Sequence, residues 1–157
     1  MAKQTRDHTA ERMSMIKLAK AMQAVCESET DRKVFVGLIN DGIFQREHIH
    51  TGLASVEANA LHSSKRTKEH FYGRKKSAER LFDLLSEDLC VEDTALYDFI
   101  VERSRVHFVT KKQNMRLREY HKLNPAATHE EAYNGCGIIL VPKTRAKPRR
   151  KPKCSKT

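Results

Sequence analysis

The segment 65–85, KRTKEHFYGRKKSAERLFDLL, constrains the fold of this chain most, because a basic stretch in it runs directly into an amphipathic one. Apolar residues in its second half recur at intervals of three and four: Ala78, Leu81, Phe82 and Leu85. This spacing places them on one face and predicts a helix at about 75–87. The segment therefore predicts a cationic loop at a helix N-terminus, where backbone N–H groups and the helix dipole favour an anion such as phosphate.

Six basic residues supply the charge of this predicted loop: Lys65, Arg66, Lys68, Arg74, Lys75 and Lys76. The alternative is a solvated basic turn that leads into an ordinary core helix, and the segment alone leaves both interpretations open. Phe71 and Tyr72 also allow two interpretations. They are more typical of core anchors that fix such a loop than of rings that stack on unpaired bases.

The formal net charge of +10 is distributed unevenly along the chain. Residues 143–157 contain eight lysines and arginines and no acid, so the other 142 residues carry 22 basic and 20 acidic side chains. Within that remainder, 65–80 is basic, 83–102 contains seven acids and no base, and 105–122 contains six bases and one acid. Local fields should therefore be strong although their sum is small.

The C-terminal stretch 143–157 reads as a disordered basic arm, because like charges and two prolines oppose packing. Three adjacent cations in it are candidate nucleic-acid contacts: Arg149, Arg150 and Lys151. Binding through such residues releases counterions and should weaken steeply with added salt. A solubility tail or a targeting sequence is the alternative.

The length of 157 residues predicts one domain, at 9–142, after a flexible N-terminus at 1–8. No run of about 18 apolar residues predicts a membrane span, and no apolar signal region predicts secretion, so we expect a cytoplasmic protein without a membrane partner. The four cysteines form no C-x-x-C pair. This spacing argues against a zinc site and a disulfide framework, and we expect no metal or other cofactor.

Hydrophobic periodicity predicts a mostly helical α+β fold. The expected helices lie at 9–28, from Thr30 to the turn at 40–42, at 53–61, at 75–87, at 92–103 and at 111–122, with a short one after Thr128. VFV at 34–36 could instead be a strand. The alternating run 105–110 and the apolar run 137–142 predict strands that pair as a small two-stranded antiparallel ribbon. Capping boxes predict the helix starts after Thr110 and Thr128.

The histidines raise an enzymatic alternative. Glu47-His48-Ile49-His50 and Glu69-His70 superficially resemble the acid–histidine pairs of metal nucleases, and Asn114 with His107 or His121 could supply further groups. These residues lie far apart in the sequence, and eight histidines in a chain of this length produce such pairs by chance. We therefore favour a non-enzymatic protein and assign no catalytic residue.

Three stretches carry a family resemblance: EHFYGRKKSAERLFDLL, KKQNMRLREY and EEAYNGCGIILV. They resemble small phage-encoded proteins, namely the DNA-binding regions associated with phage homing endonucleases and the phage-satellite repressors related to such regions. The resemblance covers roughly 60–142. It implies a sequence-specific DNA-binding protein in a bacterial host cell that represses a phage promoter, and it would explain why no complete nuclease centre can be assembled.

The sequence as a whole thus predicts a double-stranded DNA-binding protein that acts as a transcriptional repressor. Besides the basic loop, a second candidate surface lies on the predicted helix 111–122: Lys111, Lys112, Arg116 and Arg118. Arginine contacts to guanine would supply specificity and lysine contacts mainly affinity. A homodimer is plausible because two-fold sites multiply specificity. Two alternatives stay open: a metal-dependent homing-type endonuclease, and a non-enzymatic adaptor whose arm meets nucleic acid non-specifically.

Overall fold

The computed structural model describes residues 8–46 and 48–144. This part of the chain is α+β and mostly helical, as the sequence predicts. Its contacts divide into two compact units. Within the described residues, unit 1 comprises 8–46, 48–51 and 69–107, and unit 2 comprises 52–68 and 108–144.

The described residues form seven α-helices: α1 (Thr9–Ala24), α2 (Glu29–Ile39), α3 (Val56–Ala60), α4 (Arg74–Glu87), α5 (Asp93–Arg103), α6 (Lys111–Leu123) and α7 (His129–Gly135). They also form four strands: β1 (Ile49–Ser55), β2 (Arg66–His70), β3 (Arg105–Thr110) and β4 (Leu140–Pro142). A π-helical turn, Asn40–Phe44, follows α2 directly, and a 3₁₀ turn, Ser63–Lys65, precedes β2.

Unit 1 is built around α1, α2, the π-helical turn, α4 and α5. Its largest fully buried side chains are Phe44, Phe82, Ile16, Ile39, Ile43, Leu81, Leu85, Leu96 and Ile100. The predicted apolar face of α4 is confirmed in full, since all four of its residues are buried. On α1, Ile16, Ala19 and Met22 are buried, whereas Leu18 is 49% exposed.

Two predicted helix ends in unit 1 are corrected. α1 ends at Ala24 rather than near Ser28, because Ser28 caps the next helix by accepting a hydrogen bond from the backbone N–H of Asp31. The turn predicted at 40–42 does not end the helical path, which widens into the π-helical turn and buries Ile43 and Phe44. The run at 34–36 is helical, not a strand.

The helix predicted at 53–61 is wrong over its first three residues. Strand β1 occupies this stretch up to Ser55, and only the short α3 follows. The side chain of Ser55 marks the change, since it accepts a hydrogen bond from the backbone N–H of Ala58 at 3.0 Å. Val56, the first residue of α3, is 50% exposed.

The predicted two-stranded ribbon is wrong as well. The sheet has four strands in the order β2-β3-β1-β4, so β4 does not neighbour β3. Instead β4 pairs with β1 in antiparallel register, with Ala54 opposite Val141. The strand predicted over 137–142 shortens to its last three residues, and Ile139 is 67% exposed. The error arose because β1 was read as helical and β2, RTKEH, contains no apolar residue.

Unit 2 has a separate, smaller core. It joins the end of β3 to α6, α7 and the segment before β4: Val109, Leu117, Ala132, Tyr133, Cys136 and Ile138. Tyr120 and Leu140 pack against this cluster. The core therefore fixes one face of α6 and leaves its opposite face to solvent.

Candidate nucleic-acid interface

Helix α6 begins where its sequence predicts. The side-chain oxygen of Thr110 accepts a hydrogen bond from the backbone N–H of Gln113 at 3.1 Å. In return, Oε1 of Gln113 accepts one from the backbone N–H of Thr110 at 2.9 Å. This capping box satisfies N–H groups that a helix start would otherwise leave unpaired, so both predicted capping boxes, here and at Thr128, are confirmed.

Gln113 also joins α6 to α3. It is only 4% exposed, and its Oε1 accepts a second hydrogen bond from the buried Ser55 hydroxyl at 2.7 Å. Its Nε2 donates to the Glu57 carboxylate at 2.7 Å. Ser55 is itself the N-cap of α3, so a single buried amide links the first turns of both helices. A satisfied polar network of this kind fixes orientation within unit 2.

The exposed side of α6 carries a basic stripe. At 100° per residue, four exposed side chains fall within a sector of about 60°. They are Lys111, Met115, Arg118 and Lys122, here named the α6 stripe. The buried Gln113 and Leu117 lie on the opposite side of the helix. Lys112 is also exposed but lies about 100° around the helix from Lys111.

Arg116, although predicted as a nucleic-acid contact, has an internal partner. Its guanidinium Nη2 donates a hydrogen bond to the backbone carbonyl of Cys136. Cys136 is the C-cap of α7, where helix carbonyls lack intrahelical donors. Arg116 therefore holds the end of α7 against α6.

The predicted basic loop is largely regular structure. Lys65 ends the 3₁₀ turn, and Arg66 and Lys68 belong to β2. Lys65 and Lys68 are exposed, whereas Arg66 is half-buried. Its Nε donates to the carbonyl of Leu61 and its Nη2 to that of Asn59, both at 3.1 Å. Arg66 thus caps the C-terminal end of α3 in the way that Arg116 caps α7.

The other three cations of that prediction lie in unit 1. Arg74, Lys75 and Lys76 form the first turn of α4, whose N-cap Gly73 offers no side-chain acceptor. All three are exposed, and Nζ of Lys75 lies 3.8 Å from the carboxylate of Glu79. The contact division therefore assigns the two halves of the predicted loop to different units.

Phe71 and Tyr72 behave as anchors within unit 1. The Tyr72 hydroxyl donates to the Glu102 carboxylate at 3.1 Å, and the Arg103 guanidinium lies 4.1 Å from the centre of the Tyr72 ring. Phe71 meets the Tyr72 ring edge-on with centroids 5.0 Å apart. Burial, assisted by the hydrogen bond that the hydroxyl donates to Glu102, raises the pKa of the Tyr72 phenol. These contacts favour the anchoring interpretation over base stacking.

The beginning of the basic arm is held by unit 2. The backbone N–H of Lys143 donates to the carbonyl of Gly52 at 2.7 Å, and its ammonium lies 4.1 Å from the centre of the Phe108 ring. The backbone N–H and hydroxyl of Thr144 both donate to the side-chain oxygen of Asn59, at 2.9 and 3.0 Å. Arg149, Arg150 and Lys151, like the rest of 145–157 and the predicted flexible residues 1–7, lie outside the described residues.

Two members of the α6 stripe are not predicted from the sequence. Neither Lys122 nor Met115 belongs to the basic surface that the sequence predicts on this helix. Met115 is in fact 55% exposed. The spacing of 4, 3 and 4 residues from Lys111 to Lys122 would have revealed the stripe, because it repeats on one helix face.

The two units also differ in net charge. Counting described residues only, unit 2 carries nine lysines and arginines against four acids, a formal net charge of +5. Unit 1 carries 12 against 14, a net charge of −2. The acidic helix α5 belongs to unit 1, where Asp93 pairs with Lys20 at 2.6 Å. The α6 stripe thus belongs to the unit with the positive excess.

The histidines do not assemble a nuclease centre within the described residues. His107 is 1% exposed, and burial lowers the pKa of its imidazole to about 4. The His48 and His70 rings lie 5.2 Å apart in unit 1, whereas Asn114 belongs to unit 2. No group of three metal-binding side chains occurs anywhere in 8–46 or 48–144.

No helix in the described part of the chain is both long and apolar enough to cross a bilayer. No protein-family model, curated protein or solved structure matches this chain. The function is therefore inferred from the charge and geometry of the chain itself.

Proposed function

We propose that unit 2 binds double-stranded DNA through the α6 stripe, and that the protein is a sequence-specific transcriptional repressor. The observation that carries the proposal is the stripe itself. Three cations and one methionine share one exposed face of a helix whose opposite face is fixed by a core and a buried hydrogen-bond network. Lysine and arginine are the side chains that neutralise phosphates.

The dimensions of α6 suit this role. From Lys111 to Lys122 the helix rises about 16 Å, and the major groove of B-DNA, about 12 Å wide, admits an α-helix. The lysines at the two ends of the stripe can reach phosphates while its centre faces base edges. Lys65, Lys68 and Lys143, which are exposed in the same unit, add cations that can lengthen the contact along the backbone.

The more specific role, repression at a phage promoter in a bacterial cell, is supported by the resemblance of roughly 60–142 to phage-encoded DNA-binding regions. Repression needs occupancy of one site among very many competing sites. A homodimer on a two-fold operator would supply that discrimination by doubling the number of base contacts. We include dimerisation in the proposal for this reason.

A matched pair of charge-reversal variants tests DNA binding by α6. Lys111→Glu/Lys122→Glu alters the stripe, and Lys17→Glu/Lys33→Glu makes the same charge change at exposed residues of α1 and α2 in unit 1. Affinity for a duplex is measured by gel shift at about 0.15 M salt, after circular dichroism has shown that both variants fold. We expect the stripe variant to bind at least about tenfold more weakly and the control to bind nearly as wild type.

Equal weakening in both pairs would mean that net charge alone drives association, and the α6 interface would be rejected. Repression is tested separately, by sequencing the DNA that co-purifies with the protein from cells. One sharp peak that is lost in the stripe variant supports a specific repressor. A diffuse profile that depends only on 145–157 would instead support the adaptor alternative.

A further inference from the structure

Unit 2 contains three arginines among its described residues, and they are not equivalent. Arg66 donates two hydrogen bonds to backbone carbonyls at the end of α3. Arg116 donates to the carbonyl that ends α7. Each guanidinium replaces N–H donors that the helix end lacks. Neither can turn to a DNA base without giving up these bonds.

Arg118 differs from both. Its side chain is exposed, and it makes no hydrogen bond or ion pair with any described residue. The single acid of α6, Glu119, lies about 100° around the helix from it, so no carboxylate of this helix shares its face. Among the described residues of unit 2, Arg118 is therefore the arginine whose guanidinium is available to bind a ligand.

The position of Arg118 within the stripe distinguishes it from the lysines. It lies about 10 Å along the helix axis from Lys111 and about 6 Å from Lys122, between the two. In the proposed docking of α6, the ends of the stripe meet phosphates, which position the helix, and its centre meets base edges, which specify the sequence. The cation at this central position is an arginine, and lysines occupy both ends.

We propose that Arg118 is a specificity-determining residue that reads a guanine in the major groove, an inference that rests on the proposed DNA binding by α6. The guanidinium presents parallel N–H donors that match O6 and N7 of guanine, whereas an ammonium offers one compact point of charge. The lysines of the stripe then set affinity for any duplex, and Arg118 sets the preference for one base pair.

The experiment begins with selection of a preferred duplex from a random library by the full-length wild-type protein. Each guanine of that duplex is then replaced in turn by 7-deazaguanine, which lacks the N7 acceptor. Affinities are measured for the wild type, Arg118→Ala, Arg118→Lys and, as the matched control from the same stripe, Lys111→Ala. Circular dichroism establishes that the three variants are folded.

We expect 7-deazaguanine at one position to weaken wild-type binding about tenfold. Arg118→Ala should bind the two duplexes alike, and Arg118→Lys should retain most non-specific affinity but lose the discrimination. Lys111→Ala should weaken binding to both duplexes and keep the tenfold ratio.

Two failures can be told apart. If a preferred duplex is selected but Arg118→Ala keeps every guanine preference of the wild type, the role of Arg118 is overturned while DNA binding stands. If no duplex is selected and the Lys111→Glu/Lys122→Glu variant binds as wild type, the α6 interface is itself overturned, and the role of Arg118 with it.

Discussion

His107 is a buried imidazole, 1% exposed, whose ring meets Phe71 edge-on with centroids 6.1 Å apart. Burial lowers its pKa from 6.5 to about 4. The unfolded chain therefore binds the proton more tightly than the folded one between these two values, and folding becomes less favourable as the pH falls from 6.5 towards 4. The stability that depends on a neutral His107 is fully present only above pH 6.5.

We predict that the free energy of unfolding decreases by about 3 kcal/mol from this source between pH 6.5 and 4, because one pKa unit corresponds to about 1.4 kcal/mol. Urea unfolding at several pH values measures it. His107→Gln, which cannot titrate, should show a shallower pH dependence. If the two proteins have parallel profiles, protonation of His107 is not responsible for the acid sensitivity.

Arg66 illustrates what a residue type cannot reveal about its partner. The sequence places it in a basic cluster with Lys65 and Lys68, and nothing local separates the three. The difference comes from the carbonyls of Asn59 and Leu61, which the end of α3 presents to the Arg66 guanidinium alone. The sequence thus predicts which residues are candidate cations. It does not predict which of these cations form hydrogen bonds within the folded protein.

We predict that Arg66→Lys lowers the free energy of unfolding by about 1–3 kcal/mol, since an ammonium cannot reproduce both hydrogen bonds and carbonyls lose their donors. The control Lys68→Arg, an exposed position on the same strand, should change stability by less than about 0.5 kcal/mol. Thermal unfolding compares them. If Arg66→Lys leaves the free energy of unfolding unchanged, the guanidinium contributes no net stability.

The N-cap of helix α4 is Gly73, which has the extended conformation usual for that position, with φ −60° and ψ 124°. An added Cβ there would meet no atom within 4 Å. A serine at this position could therefore accept a hydrogen bond from the uncapped first turn without strain. We predict that Gly73→Ser is more stable than Gly73→Ala by about 1 kcal/mol, measured by urea unfolding. Equal stability of the two variants would mean that the added hydroxyl does not cap α4.

Helices and strands that depend on a local sequence pattern could be predicted, whereas pairings between distant strands could not. Helices α4, α6 and α7 follow from an apolar repeat or a capping box, both of which lie within one turn or a few turns of sequence. Strand β2 has no such pattern because RTKEH is polar throughout, and the partner of β4 depends on a strand almost ninety residues earlier. β1 was misread because Leu53, Val56 and Ala60 also fit a helical repeat.

Across the whole molecule, the positive excess has two sources. One is the stripe on helix α6, and the other is the set of seven further lysines and arginines in 145–157. Unit 2 holds the beginning of that arm through Asn59 and Gly52. If the α6 stripe binds DNA as proposed, a basic segment tethered to the same unit has a raised effective concentration at the same duplex.

Removal of 145–157 should separate affinity from specificity. Each phosphate that the arm neutralises steepens the dependence of log affinity on log salt by about 0.9, so the truncated protein should show a shallower slope and weaker binding at low salt. Its preference for a selected duplex over a random one should persist, because the α6 stripe is intact. Gel shifts with both duplexes from about 0.05 to 0.2 M salt measure the slope and the ratio together. Truncation could instead remove the preference for the selected duplex and leave the slope unchanged. The arm rather than α6 would then supply the specificity, and it would not do so by neutralising phosphates, because lost phosphate contacts make the slope shallower.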